Sequence, residues 1–147
     1  MPLAVGSPAP VDAPEGPVLL AFFKDTCPVC ALAFPVVGEL ARRYGDAVPV
    51  IAVAQDPPER AERWLGEYGM AGTYVDDSRD YPLSDAFEVG TVPSLFLLDG
   101  GTVEATSEGW DRDRYNHIDS VLAARTGRPS PGPVSTPADG RPPFKPG

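Results

Sequence analysis

The chain has 147 residues, 42% of them apolar, which suits one domain with a real hydrophobic core. Its formal charge is -9, from 12 Lys+Arg against 21 Asp+Glu, and no basic run occurs. An acidic surface repels phosphate backbones, so nucleic acid is excluded as an expected partner. No apolar run approaches the roughly 20 residues that span a bilayer.

Residues 1–16 hold four prolines and two glycines and read as an extended lead-in. The opening Met1-Pro2-Leu3-Ala4 has neither a charged start nor an apolar segment behind it, so the expected location is cytoplasmic. Val18-Leu19-Leu20-Ala21-Phe22-Phe23 is a continuous apolar run, the pattern of a strand covered on both faces. The period then changes. Val29, Leu32, Ala33, Val36, Val37, Leu40, Ala41 and Tyr44 recur every three or four residues, which predicts an amphipathic helix ending near Gly45, with Pro35 inside it.

Val48 to Ala54 predicts a second buried strand, and strand–helix–strand makes a right-handed βαβ unit. Pro57-Pro58 opens a helix carrying Ala61, Trp64, Leu65 and Tyr68. A short strand at Thr73–Val75 and a brief helix over 82–89 follow. Pro93–Leu98 and Thr102–Thr106 flank Asp99-Gly100-Gly101, a strong hairpin signal. Asp111 is placed to cap a last helix bearing Tyr115, Ile118, Val121 and Leu122. The fold class is α/β, a central mixed sheet with helices on both faces, a terminal β-hairpin and a C-terminal helix. The folded domain covers 17–126. Residues 127–147 contain seven prolines and, in Val134 and Phe144, few sizeable apolar groups, which predicts a mobile or extended tail.

The two cysteines, Cys27 and Cys30, lie three positions apart and close too small a loop to staple a fold. The pair is chemical. Cys27 falls where the first strand meets the first helix, and unpaired N–H groups and the helix dipole there favour thiolate. Cys30 lies one turn deeper and is expected to be the more buried. Cys27 would attack a disulfide, and Cys30 would resolve the mixed disulfide. A structural zinc site normally takes four ligands, and the chain offers two cysteines and His117. His117 falls on the outward side of the last helix, so no metal and no cofactor is expected. Asp76, Asp77 and Asp80 read as a solvated acidic loop, and Trp64 and Trp110 as packing residues.

With these residues in place, the chain resembles the thioredoxin superfamily, and more closely its TlpA/ResA-like branch. The resemblance spans about residues 16–125. It is carried by the apolar strand running into Cys27-Pro28-Val29-Cys30, by Pro35, and by Ala86-Phe87-Glu88-Val89-Gly90-Thr91-Val92-Pro93 leading into Ser94–Gly100. It implies a thioredoxin fold, a cis Val92–Pro93 bond facing the cysteines, and a Val92 backbone that pairs with extended client segments. Thr26, Pro28 and Val29 complete the expected client contacts. The implied activity is thiol–disulfide exchange, more in the direction of reducing clients, with a disulfide-containing protein or small thiol as client and an upstream thiol as reductant.

The departures are informative. The family's buried acid positions hold Ala21 and Ala33, and the usual tryptophan before the first cysteine is Thr26. Asp25 and Glu88 are the candidate stand-ins for the missing acid. Two other functions stay open. A peroxidase of the peroxiredoxin type places P-x-x-x-T/S-x-x-C around its cysteine, whereas the chain has Leu20 and Lys24 in one register and Phe23 and Cys27 in the other. A non-enzymatic module could use the dithiol to hold a partner or Cu(I).

Overall fold

The computed structural model describes residues 2–147. Strand β1 (Val18–Phe23) is followed by α1 (Pro28–Tyr44), β2 (Val50–Ala54), α2 (Pro58–Gly66), β3 (Tyr74–Asp76), α3 (Pro82–Ala86), β4 (Ser94–Asp99), β5 (Thr102–Glu108), β6 (Trp110–Asp111), α4 (Arg112–Thr126) and β7 (Phe144–Lys145). Five strands form one sheet in the order β3-β2-β1-β4-β5. The β3-β2-β1 half is parallel, and β4 and β5 add an antiparallel half.

The central strand β1 explains why the sheet is two-sided. All six of its residues are buried. Side chains alternate across a strand, so Leu19, Ala21 and Phe23 face one core while Val18, Leu20 and Phe22 face another. The first core takes α1, α2 and α4, with Trp64 stacked on Phe23 at 4.7 Å and set edge-on to Phe34 at 4.8 Å. The second core joins Phe22, Phe87 and Phe96 and is covered by Leu83 of α3 and by the lead-in. The lead-in passes through turns and bends and is docked against the β4–β5 hairpin. Gly6 N–H donates to Val103 O at 2.8 Å and Ala9 N–H to Gly101 O at 2.7 Å.

Boundaries shift for identifiable reasons. Strand β2 begins at Val50 instead of Val48, because Pro49 has no N–H to give the ladder, although its carbonyl accepts from Leu19 N–H at 2.9 Å. Helix α3 ends at Ala86, and Glu88 beyond it has a φ of 54°. The hairpin turn carries φ 60° at Gly100 and 77° at Gly101, left-handed geometry that glycine supplies without a Cβ clash. Asp111 caps α4, accepting from Arg114 N–H at 3.2 Å. Asp77 departs from the solvated-loop expectation. It is buried and accepts from Leu83 N–H, Ser84 N–H and Ser84 Oγ at 2.8, 2.9 and 2.7 Å, so it ties off the first turn of α3.

The tail expected to be mobile or extended is docked. Residues 127–147 return across α4 and α1 and end as β7 paired with β6. Arg43 Nη1 donates to Gly132 O at 2.7 Å, Asn116 Nδ2 to Ser135 O at 2.9 Å, Arg112 Nη2 to Arg141 O at 2.6 Å and Trp110 Nε1 to Pro142 O at 2.6 Å. Apolar content alone does not reveal such docking. Its carbonyls are fixed by donors on α4, α1 and β6, and its prolines leave little backbone freedom to lose on ordering.

Candidate active site

Both cysteines are free thiols at the C-terminal edge of the parallel half of the sheet. The chain leaves β1 through Lys24-Asp25-Thr26 and enters α1 at Pro28, whose missing N–H is harmless in a first helical turn. Cys27 is the N-cap residue. Its Sγ accepts from Cys30 N–H at 3.1 Å and lies 3.4 Å from Val92 O, to which the thiol donates. The Cys27 sulfur is thus held between a helix N-terminus and the carbonyl preceding Pro93. Cys27 is half-buried, and Cys30 is fully buried beneath it. Burial pushes the Cys30 thiol well above its ordinary range, with the neighbouring Cys27 and Asp56 adding to the rise.

Asp56 is the acid that the sequence reasoning missed. It follows β2 by two residues and is 4% exposed. Its Oδ2 accepts from Asp25 N–H at 2.6 Å, clamping the loop that delivers Cys27. Burial raises the Asp56 carboxyl above the usual range, and the charge of neighbouring Asp25 adds to the rise. Asp25, one of the two expected stand-ins, is instead committed to Arg60, whose Nε and Nη2 donate to it at 2.8 and 2.5 Å. That pairing lowers the Asp25 carboxyl. Glu88, the other stand-in, is exposed. A signal for Asp56 was available. Parallel strands β1 and β2 end side by side, and functional groups collect at the carboxyl ends of such strands. Asp56-Pro57 stands at that position on β2.

Val92 and Pro93 come from the turn before β4. Their peptide bond is cis, Pro93 is buried, and Val92 is half-buried. Thr26 and Pro28 are exposed on the rim beside Cys27. Val29 is placed differently from the expectation. It is 7% exposed and packs into the first core, because at this point of α1 its side chain turns toward the sheet and away from any client. A cleft of about 310 Å³ opens over Cys27, lined among others by Lys24, Gln55, Thr91, Val92 and Gly147. Among the described residues, no group of three or more His, Cys, Asp or Glu side chains is arranged to hold a metal ion, and no helix is long and apolar enough to cross a membrane.

A family model described as the AhpC/TSA family matches residues 8–106. The methylamine utilization protein MauD of Paracoccus versutus is 33% identical over 113 residues, which is 76% of this chain and 54% of MauD. The thiol-disulfide oxidoreductase YkuV of Bacillus subtilis is 32% identical over 91 residues, 58% of this chain and 61% of YkuV. The chain spans about half the length of the MauD relatives it matches. Among solved structures, a thioredoxin-like protein in the oxidized form superposes with a TM-score of 0.64 at 26% identity, covering 84% of this chain and 95% of that one. A secreted disulfide oxidoreductase of Mycobacterium tuberculosis gives 0.62 at 16% identity, covering 75% and 82%. These similarities agree with the element order and sheet topology above in showing a thioredoxin fold.

Proposed function

We propose, for a chain that belongs to the AhpC/TSA family as a TlpA/ResA-like member of the thioredoxin superfamily, that it reduces client disulfides by dithiol–disulfide exchange. One observation carries the reading: Cys27 caps α1 with its sulfur accessible in a cleft, while Cys30 sits buried one turn behind it. The Cys27 thiolate attacks one sulfur of a client disulfide, forming a mixed disulfide and expelling the first client thiolate. Cys30 then attacks the Cys27 sulfur, and the second client thiolate leaves. Two electrons pass to the client, and the Cys27–Cys30 disulfide remains for an upstream thiol to reduce. The exposed Thr26 and Pro28 stand on the edge that a client meets beside Cys27.

Cys30 attacks only after losing its proton, and burial opposes that loss. In this mechanism Asp56, the buried carboxylate whose charge is felt at Cys30, is the acceptor. Its raised carboxyl ionises as pH climbs, so release of the mixed disulfide speeds up through that titration. Asp56→Asn removes the acceptor, and stopped-flow measurement of mixed-disulfide decay is expected to show a slowing of ~10²-fold, the lower end for positioned acid–base groups. The same substitution raises stability at neutral pH. A carboxyl whose folded pKa is raised favours folding below its unfolded pKa and loses that contribution as pH rises through the folded value. The melting difference between the Asp56→Asn variant and wild type therefore closes as pH falls. A proton route that bypasses Asp56 would leave mixed-disulfide decay unchanged.

The reading is tested by equilibrating the protein against glutathione and dithiothreitol buffers and quantifying the Cys27–Cys30 disulfide. A potential near about -270 mV marks a reductant suited to the cytoplasmic location expected from the sequence, and one near about -120 mV marks an oxidant suited to export. Failure to form the disulfide at any poise overturns the exchange reading.

A further inference from the structure

The returning tail reaches the reactive sulfur. Strand β7 pairs with β6 in the register Trp110 to Lys145 and Asp111 to Phe144. Arg112 N–H donates to Pro143 O at 3.0 Å, and Arg141 Nε donates to Leu32 O at 2.7 Å, tying the tail to the first turns of the cysteine-bearing helix. Beyond β7 the chain crosses Gly109 and lays Gly147 against Thr91 and Val92, where it lines the same cleft as Cys27.

Two glycines make this approach close. A Cβ on Gly147 would press into Val92 O and Thr91 Oγ1. A Cβ on Gly109 would meet Lys145 O at 2.5 Å and Gly147 N at 2.9 Å, both backbone atoms that cannot swing aside as a side chain would. Gly109 also has a φ of 65°. The Val92 carbonyl, which an extended client would need for strand addition, accepts from the Cys27 thiol and has Gly147 packed close beside it. Strand addition requires a free row of backbone donors and acceptors, and Gly147 stands in its path at Val92. What stays open is the cleft of about 310 Å³ past Lys24 and Gln55, a size at the lower end for small-molecule sites.

We propose that residues Phe144–Gly147 select the client: while they lie against Val92, Cys27 serves compact low-molecular-weight disulfides entering past Lys24 and Gln55, and extended polypeptide disulfides are excluded. This rests on the exchange activity proposed above and names its substrate class.

The test compares two probes, hydroxyethyl disulfide and an extended peptide with one central disulfide-bonded cysteine. Full-length wild type is set beside full-length Gly147→Val and Gly109→Ala, each of which pushes the segment off Val92 from a different side. Both variants are expected to reduce the peptide about tenfold faster than wild type, the effect of removing an obstacle of ~1.4 kcal/mol. Gly109→Ala, which lies outside the lining of the Cys27 cleft, keeps the wild-type rate on hydroxyethyl disulfide. An unchanged peptide-to-small-disulfide ratio in both variants overturns the selector role while leaving exchange intact. Inertness of all three proteins toward both probes overturns the exchange activity itself, and the selector with it.

Discussion

Cys27→Ser reduces disulfide exchange to the uncatalysed background, whereas Cys30→Ser stops after the first step and accumulates protein joined to client through Cys27. The asymmetry follows from burial. Cys27 opens onto a cleft and caps a helix, whose first turn supplies Cys30 N–H to its sulfur at 3.1 Å. Cys30 has no exposed surface, and burial holds it as a thiol. A client sulfur can therefore meet only Cys27. With Cys30 replaced, nothing inside the protein attacks the mixed disulfide, which persists until external thiol arrives. Intact-mass spectrometry under non-reducing conditions reads both outcomes. Activity surviving in Cys27→Ser, or adducts forming on Cys30, would reverse the assignment of roles. A peroxidase would instead consume peroxide through Cys27 without a client adduct in Cys30→Ser.

Trp110→Ala has the largest expected effect on stability. The indole has no exposed surface, lies edge-on to Tyr115 at 4.7 Å, has the Arg141 guanidinium 5.9 Å from its centre, and donates to Pro142 O at 2.6 Å. Truncation leaves a cavity in the first core and releases the tail at one anchor. Large aromatic-to-alanine changes in cores cost about 3–5 kcal/mol, which for a domain of this size lowers Tm by about 10 °C. Urea unfolding monitored by circular dichroism measures it. Trp110→Phe separates the two contributions, because it keeps most of the packing and loses the N–H, at a cost of about 1–3 kcal/mol for the carbonyl left without its partner. A loss below about 1 kcal/mol in the alanine variant, the size of an ordinary point mutation, would mean that the tail and α4 do not depend on this residue.

How much the sequence reveals varies along the chain with how local the cause is. The β1 run, the amphipathic period of α1, the turn at Gly100-Gly101 and the Asp111 cap are each decided by neighbouring residues, and each is legible. So is the cysteine pair, because strand-then-helix context gives it chemical meaning. Asp56 and the tail are decided by partners far along the chain, and Asp77 by the first turn of α3, six and seven positions on. Asp56 gains its role from the Asp25 backbone 31 positions earlier. Asp77 is buried only because α3 folds back over it. Arg141 finds Leu32 O across 109 positions. Val29 shows the converse limit. Its place between two cysteines suggests client contact, yet the helical period that places it in the core is written in the same residues, and that period decides its direction.

The course of the tail also bears on whatever is joined to this domain. Gly147 shares a cleft with the Cys27 sulfur, so any residue attached beyond it emerges beside the nucleophile. A short flexible extension bearing a thiol or a disulfide there would present it at an effective concentration of about millimolar, against which dissolved clients have to compete. A cysteine-containing tag joined after Gly147 would thereby become an intramolecular substrate of the proposed exchange.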